Sequence, residues 1–88
     1  MTEVAEIQNK VLEFLRGRVF SPGTVVSEET DLIASGFDSL SMVSLLLFIE
    51  ETYGLWIPEG ELTEATFKNP RTLAAVVVRL LGERQTAP

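Results

Sequence analysis

The fold is decided by residues 36–53, which read GFDSLSMVSLLLFIEETY. Asp38 is a favourable N-cap residue, because its side chain can accept a hydrogen bond from a backbone N–H group of the first helical turn. The stretch that follows is apolar around most of a helical circumference, and Gly54 is a typical residue at which a helix ends. The sequence therefore predicts a central helix that begins after Asp38 and packs against several other elements.

A first helix is predicted over residues 3–16. Thr2 is its expected N-cap, and Gly17 is the residue at which it is expected to end. Its apolar residues recur at intervals of three or four, which places them on one helical face: Val4, Ile7, Val11, Phe14 and Leu15.

A final helix is predicted to start at Asn69-Pro70, where an N-cap residue precedes a proline at the first helical position. Gly82 is its expected end. Residues 76–78 would also suit a strand, but the two caps and the period near 3.6 favour a helix. The apolar residues with that period are Leu73, Val76, Val77, Leu80 and Leu81.

The rest of the chain lacks this regularity. Residues 17–37 form a long loop in the prediction, with one short helical turn after Thr30 and with Leu32 and Ile33 against the core. Residues 62–67 are predicted to hold a short helix. The expected fold is all-α, a small up-and-down bundle of three longer helices plus one short helix. The best remaining core candidates are Leu46, Ile49, Tyr53, Phe67, Leu73, Val77 and Leu80, together with Phe14.

The length of 88 residues allows one domain and is too short for two. We expect residues 1–88 to be a single free-standing domain, with an ordered core over about 3–82 and a tail over 83–88. The first 15 residues carry three glutamates and do not resemble a signal peptide, and the longest apolar run is far shorter than a membrane span. A cytoplasmic monomer without a membrane span is therefore expected.

The composition excludes several classes of function. Thirteen acidic residues against seven basic ones give a net charge of −6, so the chain should repel nucleic-acid phosphates. The absence of Cys and His removes thiol nucleophiles, zinc–thiolate sites and the commonest general base. We therefore expect no metal site and no enzymatic activity from this chain alone.

The negative charge is concentrated in the middle of the sequence. No Lys or Arg lies between Arg18 and Lys68, whereas nine acids do. Two interpretations stay open: solubility of the chain, or electrostatic steering of basic partners toward the start of the central helix. The nine are Glu28, Glu29, Asp31, Asp38, Glu50, Glu51, Glu59, Glu61 and Glu64.

The segment Gly36-Phe37-Asp38-Ser39-Leu40 resembles the Asp-Ser-Leu signature of the acyl carrier proteins. The resemblance extends over nearly the whole chain, through an acidic first helix, a long loop, a Glu-Glu-x-Tyr-Gly stretch at residues 50–54 and Ile57-Pro58. Three residues alone would be a weak indication. Their position in a chain of this length and acidity makes the resemblance specific.

The resemblance implies that a phosphopantetheinyl transferase attaches 4′-phosphopantetheine to Ser39, so that cargo hangs as a thioester on the arm's thiol. Asp38 would cap the helix and help the transferase position coenzyme A, Gly36 would let the backbone turn, and Leu40 would flank the site. A serine just after an N-cap also sits where backbone N–H groups and the helix dipole favour a phosphodiester. Without the resemblance, Asp38-Ser39 would be an ordinary helix start.

The resemblance further implies a surface for partner enzymes with basic faces. It would consist of an apolar strip with flanking charges, formed by Leu40, Val43, Leu47, Glu50 and Glu51. The alternative for the apolar residues is core packing. Trp56 has two interpretations as well, packing against the end of the central helix or contact with cargo or a partner.

The predicted function is a discrete acyl carrier protein in a specialised pathway, polyketide-like or handling short units. Ser41 and Ser44 stand where fatty-acid carriers usually have acids, which argues against fatty-acid synthesis. An aminoacyl or peptidyl carrier is the alternative: residues 62–70 resemble carriers of aminoacyl and other short units, whereas Phe37 replaces a glycine common in peptidyl carriers. A helical interaction module with an unmodified or phosphorylated Ser39 is the alternative from another class.

Overall fold

A computed structural model describes residues 3–86, and the side chains of 84–86 are not part of that description. Three α-helices make up most of it: α1 (Glu3–Phe14), α2 (Ser39–Tyr53) and α3 (Pro70–Thr86). A π-helical segment, Leu15–Val19, follows α1, and a 3₁₀ turn, Glu59–Glu61, lies between α2 and α3. The described part contains no strand. The predicted all-α bundle of three longer helices is confirmed.

Both ends of α2 follow from local chemistry, as predicted. Asp38 has extended backbone angles, and its side chain accepts a hydrogen bond from the N–H of Ser41. Gly54 adopts a left-handed conformation with φ of 65°, and its N–H donates to the carbonyl of Glu50. The helix therefore begins and ends where the sequence indicates.

The predicted end of the first helix at Gly17 is wrong, and its predicted N-cap, Thr2, lies outside the described residues. Gly17 lies inside the π-helical segment and does not adopt a positive φ. The segment stays helical because Leu15 is fully buried and the Arg16 side chain is bound to the carbonyl of Val26. Helical structure ends at Phe20, whose N–H donates to the carbonyl of Leu15.

The start of α3 agrees with the prediction, but its end does not. The Asn69 side chain accepts a hydrogen bond from the N–H of Thr72 at 2.8 Å, as an N-cap does. The helix then continues through Gly82 to Thr86. An ion pair of 3.1 Å between Arg79 and Glu83, one turn apart, spans the glycine and supports the helix there.

The predicted short helix over residues 62–67 is also wrong. Leu62 has non-helical backbone angles, which end the preceding 3₁₀ turn. The Thr63 hydroxyl accepts a hydrogen bond from the N–H of Thr66, and the N–H of Phe67 donates to the Thr63 carbonyl. Side-chain hydrogen bonds of this kind favour a turn over a longer helix.

One hydrophobic core joins the helices and the loop, with α1 packed against α3. Six of the eight core candidates are buried, while Phe14 and Tyr53 are only half-buried against the core. Leu32 is buried as predicted, but Ile33 is 45% exposed, so that prediction is wrong. The buried candidates are Leu46, Ile49, Phe67, Leu73, Val77 and Leu80.

The long loop is fastened at both of its sides, which positions the start of α2. Arg16 donates two hydrogen bonds to the Val26 carbonyl, at 3.0 and 2.6 Å. The N–H of Leu32 donates to the carbonyl of Lys68, and Arg71 forms a 2.8 Å ion pair with Glu29. The sequence predicts one short helical turn after Thr30. The structure has a turn there, in which the N–H of Ser35 donates to the carbonyl of Asp31.

The lengths and polarity of the helices bear on membrane insertion. No helix in the described part, residues 3–86, combines the length and apolarity that crossing a bilayer requires. Helix α2 is the most apolar of the three, yet it has only 15 residues. A spanning helix needs about 20 apolar residues.

Candidate functional site

Ser39 is the first residue of α2 and is exposed to solvent. Its hydroxyl makes no hydrogen bond to the residues that the structure describes, so its oxygen is accessible to an incoming group. The first backbone N–H groups of a helix and its dipole give this end a partial positive charge. A phosphodiester on Ser39 would therefore lie at the end of α2 that favours an anion.

Asp38 fixes the start of the helix beside this serine. Its Oδ1 atom accepts a hydrogen bond of 2.9 Å from the N–H of Ser41. That hydrogen bond is the main reason why the pKa of Asp38 lies below its ordinary value of 3.8. The carboxylate is therefore charged at neutral pH and occupied with capping.

Gly36 and Phe37 hold the turn that presents Ser39. Gly36 has a φ of 100°, a conformation that favours glycine, which agrees with the predicted turn. Phe37 is buried, and its ring stacks on that of Phe67 with centroids 5.8 Å apart. One side of the turn is thus anchored in the core while the serine next to it stays exposed.

An open groove of about 340 Å³ begins at Ser39, between the end of the loop, α2 and the segment before α3. Its lining contains two carboxylates, Asp38 and Glu64, and no basic side chain. The remaining lining residues are Ile33, Phe37, Met42, Leu62, Thr63 and Phe67. The groove thus combines an apolar floor with acidic groups.

This groove could not be predicted from the sequence, because its walls come from segments 20 or more residues apart. One local indication existed. Phe37 and Met42 occupy the positions before the N-cap and four residues into the helix that form a hydrophobic staple. Both residues line the groove.

The apolar residues predicted for partner binding are exposed. Leu40 is 75% exposed, Val43 50% and Leu47 47%, so core packing is the wrong interpretation for these three side chains. Their spacing of three and four residues places them on one face of α2, near the exposed Glu50 and Glu51. Helix α2 is therefore packed on one side only, and not surrounded as its composition suggests.

Trp56 lies beyond α2, in the segment that leads to the 3₁₀ turn. Its side chain is 58% exposed, whereas its neighbours Leu55 and Ile57 are buried. It lines neither the groove at Ser39 nor a cleft that lies between α1 and α2. Trp56 is therefore exposed outside both of these depressions.

The acidic residues do not gather into a metal centre. Over residues 3–86, no group of three or more acidic side chains is arranged to hold a metal ion. Two glutamates of the acidic middle are paired across the fold, Glu29 with Arg71 and Glu61 with Arg79. These pairs fasten the loop and the 3₁₀ turn to α3.

Comparison with known proteins gives a family match over most of the chain. The family model described as "Phosphopantetheine attachment site" matches residues 6–77. Aminoacyl carrier protein 2 of Bradyrhizobium diazoefficiens is 29% identical over 79 residues, which cover 86% of this chain and 88% of that protein. The aminoacyl carrier protein of Agrobacterium fabrum is 28% identical over 71 residues, 81% of this chain and 86% of that protein.

Proposed function

The chain belongs to the phosphopantetheine-binding carrier protein family, and we propose that Ser39 is the residue that bears the prosthetic group. Domains of this family carry a covalently attached 4′-phosphopantetheine, whose thiol holds cargo as a thioester, and are not catalytic themselves. The observation that carries the proposal concerns the Ser39 hydroxyl at the start of α2. It is exposed and makes no hydrogen bond to the residues that the structure describes. Such a carrier presents its cargo to successive enzymes at high effective concentration.

The residues around Ser39 fit the group. The helix start offers a partial positive charge to the phosphodiester. The Asp38 carboxylate accepts a hydrogen bond from the Ser41 N–H, which keeps it in its capping position. Gly36 keeps the approach open, because a Cβ atom there would meet nothing within 4 Å. The side of the turn that carries the exposed Ser39 is therefore unobstructed at Gly36.

The test is intact-protein mass spectrometry after incubation with coenzyme A and a broad-specificity phosphopantetheinyl transferase. The native chain and Ser41→Ala should each gain one phosphopantetheinyl group, and Ser39→Ala should gain none. Ser41 is the matched control because it lies two residues further along the same helix. An unmodified native chain, with the transferase active on a control carrier, would instead support a helical interaction module.

For the cargo, we infer an aminoacyl unit. The sequence alone favours an acyl group from a polyketide-like or short-unit pathway, with aminoacyl as the alternative. Two observations support the alternative: both curated relatives are named aminoacyl carriers, and the groove at Ser39 has two carboxylates and no basic side chain. Such a lining favours the ammonium group of an aminoacyl cargo over the carboxylate of a malonyl-type cargo.

The cargo can be tested by NMR on protein loaded by the transferase from glycyl-, acetyl- or malonyl-coenzyme A, which transfers the acylated phosphopantetheinyl group to the serine and releases 3′,5′-ADP. The glycyl form should shift the backbone signals of residues 62–67 more than the acetyl form does. Glu64→Gln should reduce that difference. Equal shifts for glycyl and acetyl forms, or larger shifts for the malonyl form, would argue for an acyl cargo.

The partner surface is proposed to consist of Leu40, Val43 and Leu47 with Glu50 and Glu51. An exposed apolar strip beside two acids suits enzymes that present an apolar patch with basic neighbours. Trp56 is proposed as a further contact because of its exposure. A tryptophan emission that stays the same between apo, loaded and enzyme-bound forms would contradict that role.

A further inference from the structure

Residues 62–66, here called the groove wall, form one side of the groove at Ser39 and bring the Glu64 carboxylate to it. Within the part of the chain that the structure describes, every hydrogen bond of the groove wall has its partner among residues 59–67. These hydrogen bonds shape the wall, but they do not attach it to α2 or α3. Its position beside the groove therefore depends on how its two ends are held.

The two ends of the groove wall are attached in different ways. After its last residue, Phe67 is buried, and its ring stacks on that of Phe37. Before its first residue, the Glu61 carboxylate accepts a hydrogen bond of 2.7 Å from Nη2 of Arg79, on α3. Leu62 adds a half-buried side chain that packs against the core. An ion pair therefore takes part at the first end, whereas the other end is held by aromatic packing.

Arg79 is itself held in place by a second carboxylate. Its Nη1 atom donates to Glu83 at 3.1 Å, while Nη2 donates to Glu61, so the planar guanidinium joins two acids at once. Glu83 can take part because α3 continues through Gly82. Glu61 is less exposed than Glu29 and Glu83, the acids of the other ion pairs described. Lower exposure to water weakens the attraction between two charges less.

We propose that Arg79 is a positioning residue for the site at Ser39: through Glu61 it holds the groove wall, and with it the Glu64 carboxylate, beside the groove. Arg79 does not line the groove and acts on the cargo only through the wall. The proposal rests on the carrier function with an aminoacyl cargo, because Glu64 is one of the two carboxylates inferred to favour the ammonium group.

The first test uses the apo chain and needs neither arm nor cargo. NMR measures amide hydrogen exchange in and next to the groove wall, where Arg79→Gln should speed exchange about two- to fourfold, the effect of losing one surface ion pair. Arg71→Gln is the matched control, because it removes the same charge from the same helix and breaks a 2.8 Å ion pair with Glu29. It should leave these rates unchanged. The hydrogen-bonded amides to follow are those of Leu62, Thr63, Thr66 and Phe67.

A double-mutant cycle and a salt series separate the ion pair from other effects of the substitution. Glu61→Gln should speed exchange as Arg79→Gln does, and the double variant should exchange no faster than the faster single variant. Raising sodium chloride from about 0.02 to about 0.5 M should shrink the difference in exchange rate between the native chain and Arg79→Gln, because salt screens the pair. Circular dichroism checks that each variant keeps the helical fold.

The second test asks whether the attachment of the groove wall affects the cargo. In protein loaded from glycyl- or acetyl-coenzyme A, Arg79→Gln should reduce the difference between the two forms in the backbone signals of residues 62–67, as Glu64→Gln should. Arg71→Gln should leave that difference intact. A structural change without a role at the site would alter the signals of both loaded forms alike and preserve their difference.

Unchanged exchange in Arg79→Gln, equal acceleration by Arg71→Gln, or additive effects of Arg79→Gln and Glu61→Gln would overturn the proposal. A glycyl–acetyl difference that persists in Arg79→Gln would overturn it as well. Failed modification of Ser39 contradicts the proposed function, and a native chain without a glycyl–acetyl difference contradicts the aminoacyl cargo. In both of these cases the exchange rates of the apo chain still decide whether Arg79 holds the groove wall.

Discussion

Asp38 couples the start of α2 to pH. Its pKa is lowered in the folded chain, mainly by the hydrogen bond from the Ser41 N–H. A group of this kind stabilises the fold at pH values above its unfolded pKa, and the contribution disappears as pH falls through the folded pKa. The stabilisation by the charged cap is therefore complete at neutral pH and is lost below about pH 4.

The first prediction concerns Asp38→Asn, which keeps a capping oxygen but does not titrate. The native chain should melt at a higher temperature than this variant at pH 7, because the charged cap interacts with the partial positive charge of the helix start. Its advantage should shrink as the pH is lowered from 5 to 3, because the native carboxylate becomes protonated. Thermal melts followed by circular dichroism test this, and an advantage that grows toward low pH would contradict it.

The second prediction concerns Val43, which is 50% exposed on the proposed partner surface. Val43→Glu should leave the helical circular dichroism intact and lower kcat/KM for modification by a phosphopantetheinyl transferase about fivefold, the effect of ~1 kcal/mol at an interface. Leu46→Glu is the contrasting variant, since Leu46 is buried and its replacement should unfold the chain. A folded Val43→Glu variant with unchanged kcat/KM would remove Val43 from the partner surface.

At the scale of elements, the helix starts could be predicted and two helix ends could not. The starts of α2 and α3 depend on Asp38 and Asn69, whose capping hydrogen bonds involve neighbours in sequence. The predicted ends at Gly17 and Gly82 are wrong for two different reasons. Arg16 reaches the carbonyl of Val26, ten residues away, so a distant contact holds the segment around Gly17. The ion pair between Arg79 and Glu83 spans Gly82 within the helix and outweighs the low helix propensity of a single glycine.

The candidate site also has a part that could be predicted from neighbouring residues and a part that depends on distant contacts. The turn that presents Ser39 could be predicted, since Gly36 and Asp38 act locally. The groove beside it could not, because Phe37 must meet Phe67 before the groove exists. The apolar side chains of α2 are alike in character, so composition alone does not separate the buried from the exposed ones. The resemblance to carrier proteins did separate them, because it placed Leu47 on the exposed strip and left Leu46 to the core, as the structure shows.

The third prediction contrasts two glycines at helix ends. Gly17 has no positive φ and open space at its Cβ position, so Gly17→Ala should stabilise the fold by about 0.5–1 kcal/mol. Gly54 has a φ of 65°, so Gly54→Ala should destabilise it by about 1–2 kcal/mol. Urea unfolding gives both values, and a destabilising Gly17→Ala would mean that the π-helical segment requires glycine.

At the scale of the whole molecule, the net charge of −6 acts against compactness. Nine of the thirteen acids lie between Arg18 and Lys68, and the ion pairs that α3 makes to this region are exposed and contribute little. Screening by salt should relieve more repulsion than it removes attraction. The same field favours basic partner surfaces.

The fourth prediction is that the melting temperature rises with sodium chloride from 0.02 to 0.5 M. Glu59→Gln combined with Glu64→Gln should raise the melting temperature at low salt and flatten its dependence on salt, because both acids belong to the cluster. Differential scanning calorimetry measures both effects. A melting temperature that is constant or falls with salt would show that the ion pairs outweigh the repulsion.

The central claim is that Ser39 bears the arm, and the most direct measurement locates the modification within the chain. Ser35, Ser41 and Ser44 lie within five residues of Ser39, so a change of intact mass does not by itself distinguish them. Fragmentation mass spectrometry of the transferase-treated protein does. The phosphopantetheinyl group should be found on fragments that contain Ser39 and be missing from those that contain only the other serines. A group on Ser35, Ser41 or Ser44, or on no fragment, would contradict the claim.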